Sequence, residues 1–142
     1  MGRVNLAVIG CGFIAETAHI PNAIGMPEAR LVAVADVNEE RLKVVEQKFG
    51  IKEYHLDYHE VLFRPDVDAV LVCTPTSTHA QIAVEATGEG KHVFIEKPMT
   101  TNSAEAERVV EAVRESGVKF MVGMNYRFIP SHRIAKRFIR ES

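Results

Sequence analysis

Gly10-Cys11-Gly12-Phe13-Ile14-Ala15 follows an apolar run, Val4 to Ile9, and an acid, Asp36, closes a second apolar run about twenty residues further on. Such a loop can cradle a pyrophosphate. Gly10 lets the chain turn sharply out of a strand, and Gly12, having no side chain, lets a diphosphate approach the amides of Phe13 and Ile14 that open the next helix. Ala15 is small enough to keep that helix against the sheet. Asp36, followed by Val37, falls where its two oxygens can accept from both hydroxyls of an adenosine ribose. A 2′-phosphate would meet that negative charge with no bidentate donor to offset it, so the expected cofactor is NAD rather than NADP. Arg41 either softens this discrimination, stacks on adenine, or is a solvated arginine in the first turn of a surface helix.

Three further segments carry polar groups suited to the same crevice. Thr74-Pro75-Thr76-Ser77-Thr78-His79 surrounds a rigid proline with hydroxyls. It can pack on the nicotinamide ribose, and Thr76, Ser77 or Thr78 can also cap the following helix. His79 either touches the cofactor or is structural. Glu96-Lys97-Pro98 places a lysine at the end of an apolar run, its backbone held extended by the proline, with its ammonium toward the cleft. Oxidation of an alcohol by hydride transfer needs a group to accept the hydroxyl proton, and Lys97 is the candidate. Glu96 either pairs with Lys97 or bonds the ribose. Asn125 can reach the crevice floor, while Tyr126, Arg127 and Phe128 read as a hinge.

These segments need a scaffold, and the alternation of strand-length apolar runs with helical periodicity supplies one. Strands are expected at Val4–Ile9, Leu31–Ala35, weakly at Lys52–His55, and at Ala69–Cys73, Val93–Ile95 and Phe120–Val122. Helices are expected at Phe13–Gly25, Glu39–Phe49, Asp57–Leu62, Thr78–Gly88, Ser103–Ser116 with Ser103 as N-cap, and Ser131–Arg140. The fold class is α/β, a doubly wound parallel sheet in the order 3-2-1-4-5-6, whose ligand crevice opens where strands one and four diverge.

A chain of 142 residues fits one such domain. A net charge of −2 offers no footprint for nucleic acid or an anionic membrane. The four bases Arg133, Lys136, Arg137 and Arg140 read as the solvated face of the last helix rather than a nucleic-acid patch. No signal peptide or membrane span is legible near the start, so a cytoplasmic protein is expected. Cys11 and Cys73 read as buried fillers, and His55 and His59 as part of a polar segment, so no metal site is expected.

As a set, Gly10-x-Gly12-x-x-Ala15, Asp36, Thr74-Pro75-Thr76-x-x-His79, Glu96-Lys97-Pro98 and Asn125-Tyr126-Arg127 resemble the N-terminal half of the glucose–fructose oxidoreductase, inositol dehydrogenase and MocA-like family. The resemblance covers the whole chain. It implies an NAD(P)-dependent oxidoreductase acting on sugars, polyols or related hydroxyl compounds, with Lys97 serving the proton transfer. It also implies a C-terminal α/β domain, absent from this chain, that covers the nicotinamide, supplies a second acid/base and builds most of a homo-oligomer interface. On that basis residues 1–125 form the dinucleotide-binding domain and residues 126–142 bridge toward the second one, and the chain alone binds NAD without turnover. Two other classes share parts of the pattern. A methyltransferase also sets its ligand over a glycine loop, although the sixth strand and Glu-Lys-Pro turn speak against it. A nucleotide-sensing or interaction module would use the same pocket without chemistry.

Overall fold

The computed structural model describes residues 2–141; Met1 and Ser142, which end the expected domain and bridging segment, lie outside them. Six strands, β1 (Val4–Ile9), β2 (Ala29–Ala35), β3 (Tyr54–His55), β4 (Ala69–Val72), β5 (His92–Ile95) and β6 (Phe120–Val122), form one sheet in the order 3-2-1-4-5-6. Every neighbouring pair is parallel. The expected strand order is therefore the observed one.

Successive side chains of a strand point to opposite faces, and here both faces are covered. Ala7, Ile9, Val70 and Val72 face a layer containing Ile82 and Ala83 of α4 (Thr76–Gly88) and Val109 of α5 (Ser103–Ser116). Val8 and Val34 face the other layer, with Ile20 of α1 (Ile20–Gly25) and Leu42 and Val45 of α2 (Glu39–Phe49). Each valine, leucine or isoleucine among them contributes about 1.5–3 kcal/mol when fully buried. This two-sided burial is why the strands read as apolar runs instead of alternating ones.

The helices depart from expectation in instructive places. Residues 13 and 14 are already helical, but Ala15–His19 forms a π-helical turn before α1. Pro21 cannot donate to the carbonyl four residues back and crowds it, and the widened turn, in which Ile20 N–H donates to Ala15 O, accommodates that. Asn102, not Ser103, caps α5: its side-chain oxygen accepts from Glu105 N–H at 3.0 Å. The longer Asx side chain, on extended backbone one residue earlier, reaches the amide that a cap must satisfy. Helix α4 starts at Thr76, two residues before the expected position, with Pro75 at its N-cap and no hydroxyl side chain capping it. Asp57 caps α3 (Tyr58–Leu62), and α6 (Pro130–Glu141) ends the described chain with Ile134 and Ile139 exposed. No helix among the described residues is long and apolar enough to cross a membrane.

Candidate functional site

The carboxyl ends of β1, β2 and β4 open on a pocket of about 580 Å³. Gly10 and Gly12 line it from the first loop, Asp36, Val37 and Arg41 from the second, and Thr74, Pro75 and Thr78 from the third. Leu56, Tyr58 and His59 close its outer wall. A more open groove of about 810 Å³, lined among others by Asn5, Arg30 and Arg64, includes none of the glycine-loop residues, Asp36 or Lys97. The concavity at the strand ends is the one that gathers the glycine loop and Asp36.

Gly10 has φ +92°, and a Cβ there would stand 2.7 Å from the carbonyl carbon of Cys73. The residue is therefore required by the close crossing of two backbones as well as by the turn. Gly12 is different. A Cβ there would meet only the Arg41 guanidinium, at 3.2 Å, the mobile end of a long side chain. What Gly12 keeps clear is the pocket. Beyond it the helical ladder begins with Glu16 N–H donating to Gly12 O at 3.0 Å, so the amides of Phe13 and Ile14 lie in the first turn, where no intrahelical acceptor exists. The side chain of Phe13 is exposed.

Asp36 is fixed from two directions. Cys11 N–H donates to its Oδ2 at 2.7 Å and Asn38 N–H to its Oδ1 at 2.8 Å. Each carboxylate oxygen has a second lone pair, so both can still accept from a vicinal diol. Burial pushes the thiols of Cys11 and Cys73 up to about 12, and both are buried and unpaired. His59 is held above its ordinary value chiefly by its hydrogen bond to Asp57, while His55 faces Glu60. The two histidines thus have separate carboxylate partners. Among the described residues no group of three or more His, Cys, Asp or Glu side chains could hold a metal ion.

The segment after β4 needs a correction. His79 is 1% exposed, and both its ring nitrogens face backbone carbonyls, Nδ1 that of Pro98 and Nε2 that of Thr74, each at 2.9 Å. It lies beneath the site rather than on its wall. Thr78 Oγ1 lies 2.8 Å from both Thr74 Oγ1 and Pro75 O, which ties the turn together. Thr76 is half-buried and is not among the pocket-lining residues.

After β5, the Glu96 carboxylate pairs with a histidine and not with the Lys97 ammonium. Its Oε1 lies 2.8 Å from His19 Nε2, and its Oε2 accepts from the backbone N–H of Lys97 at 3.1 Å. His19, which also meets the Phe94 ring edge-on, was not singled out from sequence. Its signal was its spacing four residues after Ala15, which sets it on the sheet-facing side of the helix. The Lys97–Pro98 peptide is cis, and the Lys97 side chain is exposed. Asn125 opens a 3-10 turn, Asn125–Phe128, is exposed, and like Glu96 and Lys97 lies outside the pocket lining, on the β5–β6 side.

Comparison with known proteins agrees with this geometry. A family model described as the oxidoreductase family, NAD-binding Rossmann fold, matches residues 4–124. Myo-inositol 2-dehydrogenase of Thermotoga maritima is 38% identical over 88% of this chain and 37% of its own length. The scyllo-inositol 2-dehydrogenase (NAD(+)) of Bacillus subtilis is 39% identical over 96% of this chain and 40% of its own. Among solved structures, the 3-ketoreductase KijD10 of Actinomadura kijaniata, in complex with NADP and TDP-benzene, superposes with a TM-score of 0.90 at 34% identity, over 99% of this chain and 43% of that one. The chain spans about 40% of the length of the curated relatives it matches.

Proposed function

Because this chain belongs to the oxidoreductase family with an NAD-binding Rossmann fold, we propose that it is the cofactor-holding part of an enzyme that moves hydride between a nicotinamide and a sugar, polyol or similar hydroxyl compound. Residues 1–125 form the cofactor domain, and residues 126–142 lead toward a second domain that holds the substrate and contributes to self-association. The substrate class is supported by the inositol dehydrogenases among its relatives. A cytoplasmic setting is supported by two unpaired, buried cysteines. The family match sets the methyltransferase reading aside.

The observation that carries the cofactor assignment is the Asp36 carboxylate, anchored by two backbone amides at the rim of a pocket that begins at the glycine loop. Gly12 and the first-turn amides of Phe13 and Ile14 fit a diphosphate, and Asp36 fits the adenosine ribose. The same carboxylate repels a 2′-phosphate, so NAD is preferred over NADP, with Arg41 also on the pocket wall. When bound, the nicotinamide supplies the acceptor for hydride. The neutral amine of Lys97 takes the hydroxyl proton as the carbonyl forms and becomes the ammonium, so the two hydrogens of the alcohol leave to different places. On its own, with Lys97 open to water, the chain binds NAD and turns nothing over.

Titration of the chain with NAD tests the reading. Asp36→Ala is expected to weaken binding about ten-fold or more, since each hydrogen bond to a charged acceptor is worth about 1.5–3 kcal/mol. An unchanged titration would remove Asp36 from the ribose. Gly12→Val is expected to abolish NAD binding with the far-UV spectrum intact, because its Cβ meets only a flexible guanidinium inside the protein. Retained affinity in that variant would mean the loop holds no phosphate.

A further inference from the structure

The turn that carries Lys97 is held on both flanks by histidines. On the near side His19 fixes Glu96, whose other oxygen accepts from the Lys97 amide. On the far side the buried His79, in the first turn of α4, bridges Pro98 O and Thr74 O. Carbonyl oxygens only accept, so each ring nitrogen that bonds one must carry a proton, and a ring with a single N–H can serve only one of them. The two carbonyls do not need that proton equally. The Thr74 side is already secured by Cys73 N–H donating to Ile9 O at 2.7 Å and by the Thr78 hydroxyl. Proline has no N–H, so its carbonyl is the only backbone group through which hydrogen bonding can anchor Pro98.

Resting on the reading of Lys97 given above, we infer that His79 is a positioning residue for the reaction: its Nδ1–H, donated to Pro98 O, sets the aim of the Lys97 side chain. It never touches cofactor or substrate. It acts through the residue that follows Lys97, across the gap between the β4 and β5 turns, so the wall that holds the cofactor and the group that moves the proton keep a constant spacing.

Two side-chain amides separate this role from simple core filling. The amide nitrogen of asparagine can stand where Nδ1 stood, and that of glutamine where Nε2 stood. His79→Asn therefore keeps the donor to Pro98, and His79→Gln keeps the donor to Thr74. In the 142-residue chain, the asparagine variant is expected to leave the Lys97 and Met99 amide resonances in place and the Lys97 amine methylated by formaldehyde and borohydride at a rate within about two-fold. The glutamine variant is expected to move both. In the full-length enzyme, His79→Gln is expected to lower kcat about ten-fold or more with the KM for NAD little changed, since a ~1 Å misplacement can cost about 10²-fold. The asparagine variant is expected to keep most of the rate. Equal effects of the two substitutions, or the reverse order, would overturn the proposal.

A measurement on the unmutated chain stands even where both variants unfold. A scalar coupling across the hydrogen bond, from His79 Nδ1 to the Pro98 carbonyl carbon, is expected, and a bare Nδ1 overturns the assignment. NAD titration of the same sample keeps the two ideas apart. A missing coupling in a chain that binds NAD defeats the clamp alone, whereas a chain with the coupling that does not bind NAD defeats the cofactor reading alone.

Discussion

Gly10→Ala is expected to destabilise the chain by about 3 kcal/mol or more and to lower its melting temperature by about 10 °C. The backbone at Gly10 has φ +92°, a region costing a residue with a Cβ roughly 1–2 kcal/mol. The added carbon would also stand 2.7 Å from Cys73 C, 2.8 Å from Cys73 O and 2.8 Å from Thr74 N. All three are backbone atoms at the end of β4, a strand paired on one side with β1 and on the other with β5. Nothing flexible is available to give way, so the methyl must separate the two central strands at the mouth of the pocket. Overpacking of this kind costs about 1–3 kcal/mol more, a large fraction of the roughly 5–15 kcal/mol that holds a typical domain together. Urea or thermal unfolding beside Gly12→Ala makes the comparison. The Gly12 variant meets only the Arg41 side chain and should melt near the unmutated chain, whereas equal melting of the two would show that the crossing is looser than its distances imply.

The contrast between these two glycines marks where sequence reasoning stops. Their spacing after an apolar run was legible as a phosphate loop, because a short motif next to a strand is a local pattern. That Gly10 also lets β4 pass within contact distance was not, since it depends on a chain segment more than sixty positions away. The same division holds across the fold. The bounds of β1, α2 and β6 were readable from apolar runs and helical periodicity, and the strand order followed from the alternation of strands and helices. The π-helical turn was hidden because Pro21, inside the expected helix Phe13–Gly25, signals a disturbance of the helix without saying whether the chain kinks, stops or widens there.

Asp36 and the glycine loop were legible together because both lie in one β-α-β unit. His79 was visible as a residue with two readings left open, and the buried ring takes the structural one, since a ring bonded to Pro98 and a ring lining a crevice share the same sequence address. His19 was missed altogether. Its partner Glu96 lies on another strand end, and only the folded sheet brings the two to 2.8 Å.

Lys97→Met is expected to lower kcat of the full-length enzyme about 10²- to 10⁴-fold, the usual worth of a positioned acid or base. Methionine keeps the unbranched stem and removes the amine, so packing changes little. Lys97 lies outside the pocket formed by the glycine loop and Asp36, and NAD should therefore bind the variant about as well as the parent. That separates it from Asp36→Ala, where affinity falls first. The amine itself can be restored. In Lys97→Cys, alkylation with bromoethylamine rebuilds a lysine-like side chain at position 97, and Cys11 and Cys73 react more slowly because they are buried with their thiols pushed up to about 12. Recovery of rate on alkylation would tie the loss to the proton-accepting nitrogen rather than to a disturbed turn. A loss smaller than about ten-fold in Lys97→Met, or one that alkylation leaves unrepaired, would move the proton transfer to another residue and leave Lys97 as a surface charge at a strand end.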